Sequence, residues 1–205
     1  MNPEDWEEAK TSSLTKMNQI SKIIRDYGYS NKTKSMITDE KVCDFLVKKI
    51  REAKEKLFRM IETMYELTEE KKLNKRLQKL KDELDIFSDE IKIRHCEWKD
   101  LGAEWLRKII EHDAGLIAGL QKLNNDLEDI SKEMIKFVKL RVDGKGEVMY
   151  DKKFWKDMEN IINGIEEEID SLVRTFKERE AICNIRAISL EKTFQKMQEN
   201  IEEEV

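Results

Sequence analysis

The sequence predicts an all-α protein, an elongated antiparallel helical bundle or coiled coil of about four helices with a very long central helix. Two observations support this prediction. The 205 residues include one proline and seven glycines, too few for the turns of a strand-rich fold. Apolar residues also recur at steps of three and four along most of the chain, which is the spacing of a buried helix seam. A disordered chain with 40% charged residues would not keep this regularity.

The first helix is predicted over residues 3–27. Asn2 is suited to the N-cap and Pro3 to the first helical position, where its missing N–H costs nothing. Gly28 is a natural C-terminal stop, and the following stretch to residue 37 has no period and is interpreted as a loop.

The second helix is predicted over 39–67, with Thr38 opening it. Its seam runs from Cys43 to Leu67 without a fault in the three-and-four spacing. Further apolar residues widen the stripe, which indicates contact with two neighbouring helices. The seam loses its phase after Leu67, so a tight turn is expected near 68–72, with a continuous helix containing a phase slip as the alternative.

The third helix is predicted over 69–141, with a bend expected between 102 and 119. Its seam runs from Leu73 to Phe137 and is interrupted by two polar residues, Arg94 and His112. A single helix of this length would span roughly 110 Å.

The fourth helix is predicted over 152–204, after a turn at 143–146. Its seam runs from Trp155 to Ile201 with one polar member, Arg179. The second and fourth helices would fold back on the two halves of the third, giving a single elongated domain over 1–205. Because two-helix regions with wide apolar stripes leave hydrophobic surface, we expect a homodimer.

The charge and the absence of a recognisable targeting signal predict a cytoplasmic protein, and the net charge does not favour nucleic-acid binding. The net charge of −5 argues against a protein built to neutralise phosphates. The N-terminus is acidic and polar, unlike a signal peptide. The apolar run Ala114–Leu120 is far shorter than the ~20 residues of a membrane span, so no transmembrane segment is expected. Three cysteines without a CxxC pair are interpreted as free thiols: Cys43, Cys96 and Cys183.

The sequence predicts no enzyme, no metal site and no cofactor. A di-iron bundle needs two Glu-x-x-His pairs, whereas the only histidines are His95 and His112, each with a non-acidic residue three positions before it. No phosphate-binding glycine loop is present. His95 beside Cys96 is interpreted as a chance neighbour, and His112 as a seam residue.

Two groups of residues stand out as candidate sites. The first, which we call the basic tip, combines six cations in eleven residues without an acid and is a possible site for an anionic partner: Lys71, Lys72, Lys75, Arg76, Lys79 and Lys81. The second is a set of small residues whose spacing favours close helix packing, with a hinge or a binding groove as alternatives: Ala114, Gly115, Ala118 and Gly119.

The functional prediction is a non-enzymatic helical scaffold or adaptor that binds protein partners and self-associates. The alternative is a nucleic-acid-associated factor that uses the basic tip at 71–81 on a helix hairpin. A third class, a helical enzyme or ligand carrier, would require a sizeable apolar pocket with convergent polar groups.

Overall fold

The computed structural model describes residues 3–66, 71–94, 96, 98, 101–142 and 152–184. Within these residues the fold is all-α, as predicted. Six helices are present in the described part of the chain: α1 Pro3–Ser12, α2 Leu14–Ser21, α3 Lys32–Glu66, α4 Lys71–Ile93, α5 Ala103–Val142 and α6 Lys152–Cys183. The prediction of about four helices is therefore corrected. Residues 67–70 and 143–151, where turns are predicted, and the predicted helix beyond 184 lie outside the described residues.

The predicted helix 3–27 is wrong, because it is divided into α1 and α2 and helical structure ends at Ser21. The chain then turns at Asp26, whose φ of 59° lies in the left-handed region that aspartate tolerates. This turn carries Tyr27 and Tyr29 away from the helix axis and into the interior, where both are buried. The packing of the two tyrosines replaces the last turns of the predicted helix.

The second helix begins at Lys32, seven residues earlier than predicted. Its N-terminal cap is Asn31, whose side-chain oxygen accepts a hydrogen bond from the Lys34 amide at 2.9 Å. Thr38 lies inside α3, where its hydroxyl donates to the carbonyl of Gly28 at 2.6 Å. Thr38 therefore fixes the preceding loop and does not cap the helix.

The predicted central helix 69–141 is wrong as a single element. α4 ends at Ile93 and α5 begins at Ala103, and the described residues between them, which we call the interruption, are not helical: Arg94, Cys96, Trp98, Leu101 and Gly102. α5 continues unbroken through Gly115. The non-helical stretch allows Trp98 and Leu101 to be buried. Burial of these two side chains removes apolar surface from water, which stabilises the folded chain.

Within the described residues, most of the other predicted seam positions are buried. Every seam residue of α3 from Cys43 to Met64 is at most 3% exposed. In the first part of α5 the phase differs by one residue, because Leu106 and Asp113 are buried while Trp105 and His112 are only half-buried. The seam of a helix that follows an interruption need not keep the phase of the helix before it.

The chain forms two compact units, and three helices contribute residues to both. Unit 1 contains α1, α2, the loop 22–31, α3 up to Val42, residues 94–114 and α6 from Thr175. Unit 2 contains α3 from Cys43, α4, α5 from Gly115 and α6 up to Arg174. The single elongated domain stays a prediction.

Unit 2 consists of four helical segments in which α3 and α6 each contact both α4 and α5. Four side-chain contacts join the neighbouring segments: Lys54 to Asp85 (α3–α4), Lys56 to Asn124 (α3–α5), Arg76 to Glu166 (α4–α6) and Lys122 to Glu168 (α5–α6). The surface between α3 and α4 therefore lies on the opposite side of unit 2 from the surface between α5 and α6.

Candidate functional site

Unit 1 is built around the guanidinium of Arg179, which is 0% exposed. Each of its three nitrogens has its own partner. Nη1 donates to Asp39 at 2.7 Å, Nη2 donates to the hydroxyl of Tyr29 at 3.1 Å, and Nε donates to Asp113. The arginine therefore joins α6 to α3, α5 and the loop 22–31, which contains Tyr29.

Asp113 is the main acceptor of this cluster, and it is also 0% exposed. The hydroxyls of Tyr27 and Tyr29 each donate to its Oδ2 atom at 2.6 Å, while Oδ1 receives Arg179. Asp39 accepts a second arginine, Arg94, at 3.1 Å. Two buried aspartates thus face two arginines, and the charges balance. We call these six residues the Arg179 cluster.

Burial and neighbouring charges fix the protonation states of the cluster. Burial raises the pKa of both tyrosines well above 10, and the charge of Asp113 raises them further. Burial opposes the charge on Arg179, but the neighbouring Asp113, Tyr29 and Asp39 outweigh it and raise the arginine pKa. The tyrosines stay neutral and the arginine stays charged, so the cluster holds elements together and is not suited to proton transfer.

Sequence reasoning found part of this cluster. Arg94 and Arg179 stood out because each interrupts an apolar seam with a polar residue. The partner Asp113 was missed because the predicted seam placed His112 at the buried position. Nothing in the local pattern indicates that Asp39, Tyr27 and Tyr29 meet in this cluster, because their partners are distant in the sequence.

The first groove in unit 2 lies between α3 and α4 and has a volume of about 520 Å³. Four of its six lining residues are cationic, one is acidic, and one is an aromatic ring. We call it the basic groove, and it is lined by Arg51, Lys54, Glu55, Phe58, Arg59 and Lys81. The Phe58 residue is 49% exposed, which is unusual for an aromatic residue in the middle of a long helix.

The second groove lies between α5 and α6 and has a volume of about 370 Å³. Three carboxylates face one lysine across an apolar floor. We call it the acidic groove, and it is lined by Lys122, Asp126, Asp129, Ile130, Ile161, Gly164, Ile165 and Glu168. Ile161 is 39% exposed, and a Cβ built on Gly164 would meet nothing within 4 Å, so the glycine leaves the groove open.

The pKa of one lysine in each groove reflects the charges around it. Burial and the charges of Lys81 and Lys92 lower the pKa of Lys54, although its ammonium contacts Asp85. In the acidic groove, hydrogen bonds to Glu168 and Asp126 raise the pKa of Lys122. The neighbours of Lys54 thus repel added positive charge, whereas those of Lys122 attract it.

The basic tip lies on α4, and two of its cations are both paired and partly buried within unit 2. The Arg76 guanidinium donates to Glu166 at 2.7 Å and to Asn163 at 2.6 Å. Lys81 lies 3.4 Å from Asp85 and also lines the basic groove. These carboxylates neutralise part of the charge that the sequence assigns to the tip.

The other described cations of the tip are more accessible. The side chain of Lys72 is 80% exposed and lies 3.5 Å from Glu159, and that of Lys79 is 70% exposed and lies 3.0 Å from Glu83. Lys75 is exposed, and the side chain of Lys71 lies outside the described residues. The role of the tip in binding an anionic partner stays a prediction.

The small residues of α5 have different surroundings. A Cβ built on Gly119 would lie 2.8 Å from Cδ2 of Leu172 on α6, which is a close approach of the two helices. A Cβ on Gly115 would meet nothing within 4 Å, and Ala118 is exposed. Ala114 is half-buried at the end of unit 1. Of the two glycines, only Gly119 therefore lies where an added methyl group would crowd a neighbouring helix.

No family model, curated protein or solved structure matches this chain. Over the described helices, none combines the length and the apolar character needed to cross a membrane. Among the same residues, no three His, Cys, Asp or Glu side chains are grouped so that they could hold a metal ion. His112 is half-buried and His95 lies outside the described residues.

Proposed function

We propose that the protein is a non-enzymatic helical scaffold that binds proteins and self-associates. The observation that carries the proposal is the pair of grooves of opposite charge on opposite sides of unit 2. The basic groove of one copy is complementary to the acidic groove of a second copy. Complementary charge selects the partner and orients it, and the exposed apolar side chains supply contact area.

The apolar parts of the two grooves support this arrangement. Phe58 projects from the basic groove, and the acidic groove has a floor of isoleucines with open space at Gly164. An aromatic side chain that enters an apolar recess is a common anchor of protein interfaces. Neither groove is lined by the Arg179 cluster, so assembly leaves the centre of unit 1 intact.

The position of the grooves determines the kind of assembly. A contact between two different surfaces is heterologous, and such contacts build rings or open chains. Two copies joined through one pair of grooves make a dimer, which agrees with the expected homodimer. Each end of that dimer still offers one unoccupied groove, so a third copy can add.

A non-enzymatic role is supported by the chemistry of the buried groups. All three guanidinium nitrogens of Arg179 and both carboxylate oxygens of Asp113 are already bonded to protein partners. A catalytic acid or base needs access to a substrate atom. We place the scaffold in the cytoplasm, because three cysteines that are free thiols are typical of a reducing compartment.

The test uses two charge-reversed variants and measures mass by light scattering. The first, Arg51→Glu/Arg59→Glu, reverses two cations of the basic groove. The second, Asp126→Lys/Asp129→Lys, reverses two carboxylates of the acidic groove. At low salt the wild-type mass should rise with concentration, whereas each variant alone should remain at 24.4 kDa. About 0.5 M salt should dissociate the wild-type assembly, because exposed charges are screened.

Mixing the two variants gives the decisive measurement. Each variant keeps the groove that the other has lost, and the two reversed grooves are themselves opposite in charge. An equimolar mixture should therefore recover assembly, with masses of twice 24.4 kDa and above, whereas neither variant assembles alone. Wild-type protein that is monomeric at every concentration would overturn self-association. Variants that assemble like the wild type would overturn the grooves as the interface.

The nucleic-acid alternative rests on the exposure of Lys72 and Lys79 in the basic tip. It is tested by the anisotropy of a labelled duplex DNA with the wild type and with Lys72→Glu/Lys75→Glu/Lys79→Glu. Binding that weakens steeply with salt and is lost in this variant would favour the alternative. Equal and weak binding by both proteins would count against it.

A further inference from the structure

In unit 1 the thiols of Cys96 and Cys183 interact, and this interaction is the largest influence on the pKa of each. Cys96 belongs to the interruption between α4 and α5, and Cys183 is the last residue of α6. Both are free thiols in this structure. The pair is not part of the proposed assembly, because both grooves lie in unit 2.

The Arg179 cluster holds the two cysteines together. Arg94 lies two residues before Cys96, and Arg179 lies one helical turn before Cys183. Both arginines bind the same carboxylate, that of Asp39, at 3.1 Å and 2.7 Å. The backbone segments that carry the two cysteines are therefore fixed relative to each other by two ion pairs.

The two thiols are not equivalent. Cys183 is 2% exposed, whereas Cys96 is half-buried and accessible to a small molecule. The hydrogen bond from Cys183 lowers the pKa of Cys96, while that same bond and burial raise the pKa of Cys183. Cys96 is thus the thiol that ionises first, and the thiolate is the reactive form of cysteine.

We propose that Cys96 and Cys183 form a reversible intramolecular disulfide when the chain meets a small-molecule disulfide oxidant such as oxidised glutathione. The Cys96 thiolate attacks one sulfur of the oxidant, forms a mixed disulfide and releases one glutathione thiolate. The Cys183 thiol then loses its proton and attacks the Cys96 sulfur, and the second glutathione leaves. Two protein thiols are oxidised and one glutathione disulfide is reduced to two thiols.

The bond itself would lie in unit 1, but the loop of roughly 90 residues that it closes, from Cys96 to Cys183, includes the parts of α5 and α6 that belong to unit 2. Covalent closure of a long loop restricts the unfolded chain and stabilises the folded state. In reducing compartments such bonds are usually transient and regulatory. The modification site therefore offers a redox control on the stability of the folded chain.

The experiment incubates the full-length wild type with oxidised glutathione and maps the products by peptide mass spectrometry. The expected product is a cross-link between the peptides of Cys96 and Cys183, with a mass lower by two hydrogen atoms and no retained glutathione. Thiol titration in denaturant should fall from three groups to one, and dithiothreitol should restore all three. The apparent Tm should rise on oxidation and return on reduction.

Variants and a denatured control separate the proposal from chance oxidation. Cys43, which is buried in unit 2, provides the matched control. Cys43→Ser should still form the cross-link, and Cys183→Ser should stop at a glutathione adduct on Cys96. Wild type oxidised in concentrated urea should give a mixture of pairings. A glutathione adduct that persists on Cys96 in the folded wild type, or a cross-link through Cys43, would overturn the proposal without using any variant.

Discussion

Replacing Arg179 with methionine removes the only cation that contacts Asp113 among the described residues. Met fills much of the arginine volume, so the change is mainly electrostatic. Asp39 keeps Arg94, but Asp113 remains buried with only the two tyrosine hydroxyls as donors. Removing one partner of a buried ion pair costs about 3–5 kcal/mol, because the other charge is left uncompensated. We therefore expect Arg179→Met to lose about that much unfolding free energy.

The loss is measured by urea unfolding, followed by tryptophan fluorescence. With an m-value of about 2 kcal/mol per M, a loss of 4 kcal/mol lowers the urea midpoint by about 2 M. Trp98 stacks on Tyr29 with a centroid distance of 4.8 Å and therefore reports on the surroundings of the cluster. The matched control is Arg174→Met, the same substitution at an exposed position of α6, which should change stability by less than about 0.5 kcal/mol.

A double substitution tests the mechanism separately from the magnitude. Arg179→Met/Asp113→Asn removes both charges, so no uncompensated carboxylate remains beside the tyrosines. The double variant should be less destabilised than the sum of the two single variants, which is the sign of a direct interaction. A loss below about 1 kcal/mol for Arg179→Met, or strictly additive effects, would refute the buried ion pair as the centre of unit 1.

Two further predictions concern pH and helix packing. Because folding raises the pKa of Tyr27 and Tyr29, their contribution to stability is complete below about pH 10 and is lost above it, by up to about 1.4 kcal/mol per pH unit for each tyrosine. Urea unfolding between pH 8 and 11 should show this decline, and Tyr27→Phe should make it shallower; equal slopes would contradict the assignment. Gly119→Ala should destabilise by about 1–2 kcal/mol through crowding of Leu172, whereas Gly115→Ala, one turn earlier and in open space, should stabilise by up to about 1 kcal/mol. If thermal melts gave Gly119→Ala a higher Tm than Gly115→Ala, α5 and α6 would have to be farther apart at Gly119 than the structure shows.

The sequence predicted the presence and the buried faces of the helices more accurately than the residues at which they begin and end. The seam of α3 is buried as the spacing required, because the apolar period of a helix depends on residues a few positions apart. The interruption between α4 and α5 was missed, because the burial of Trp98 that accompanies it involves residues distant in the sequence. The early end of α2 was missed for the same reason, since Tyr27 and Tyr29 find their acceptor on α5.

What the sequence determined by itself is the all-α class, the buried face of most helices and two polar residues in apolar seams. The tertiary structure alone decided which groups meet: Arg179 with an aspartate 140 residues away, two cysteines from different elements, and two grooves of opposite charge. The physical reason is the range of each interaction. Helical periodicity depends on residues a few positions apart in the sequence. Hydrogen bonds and ion pairs between distant residues form only after folding has brought their atoms within a few ångströms of each other.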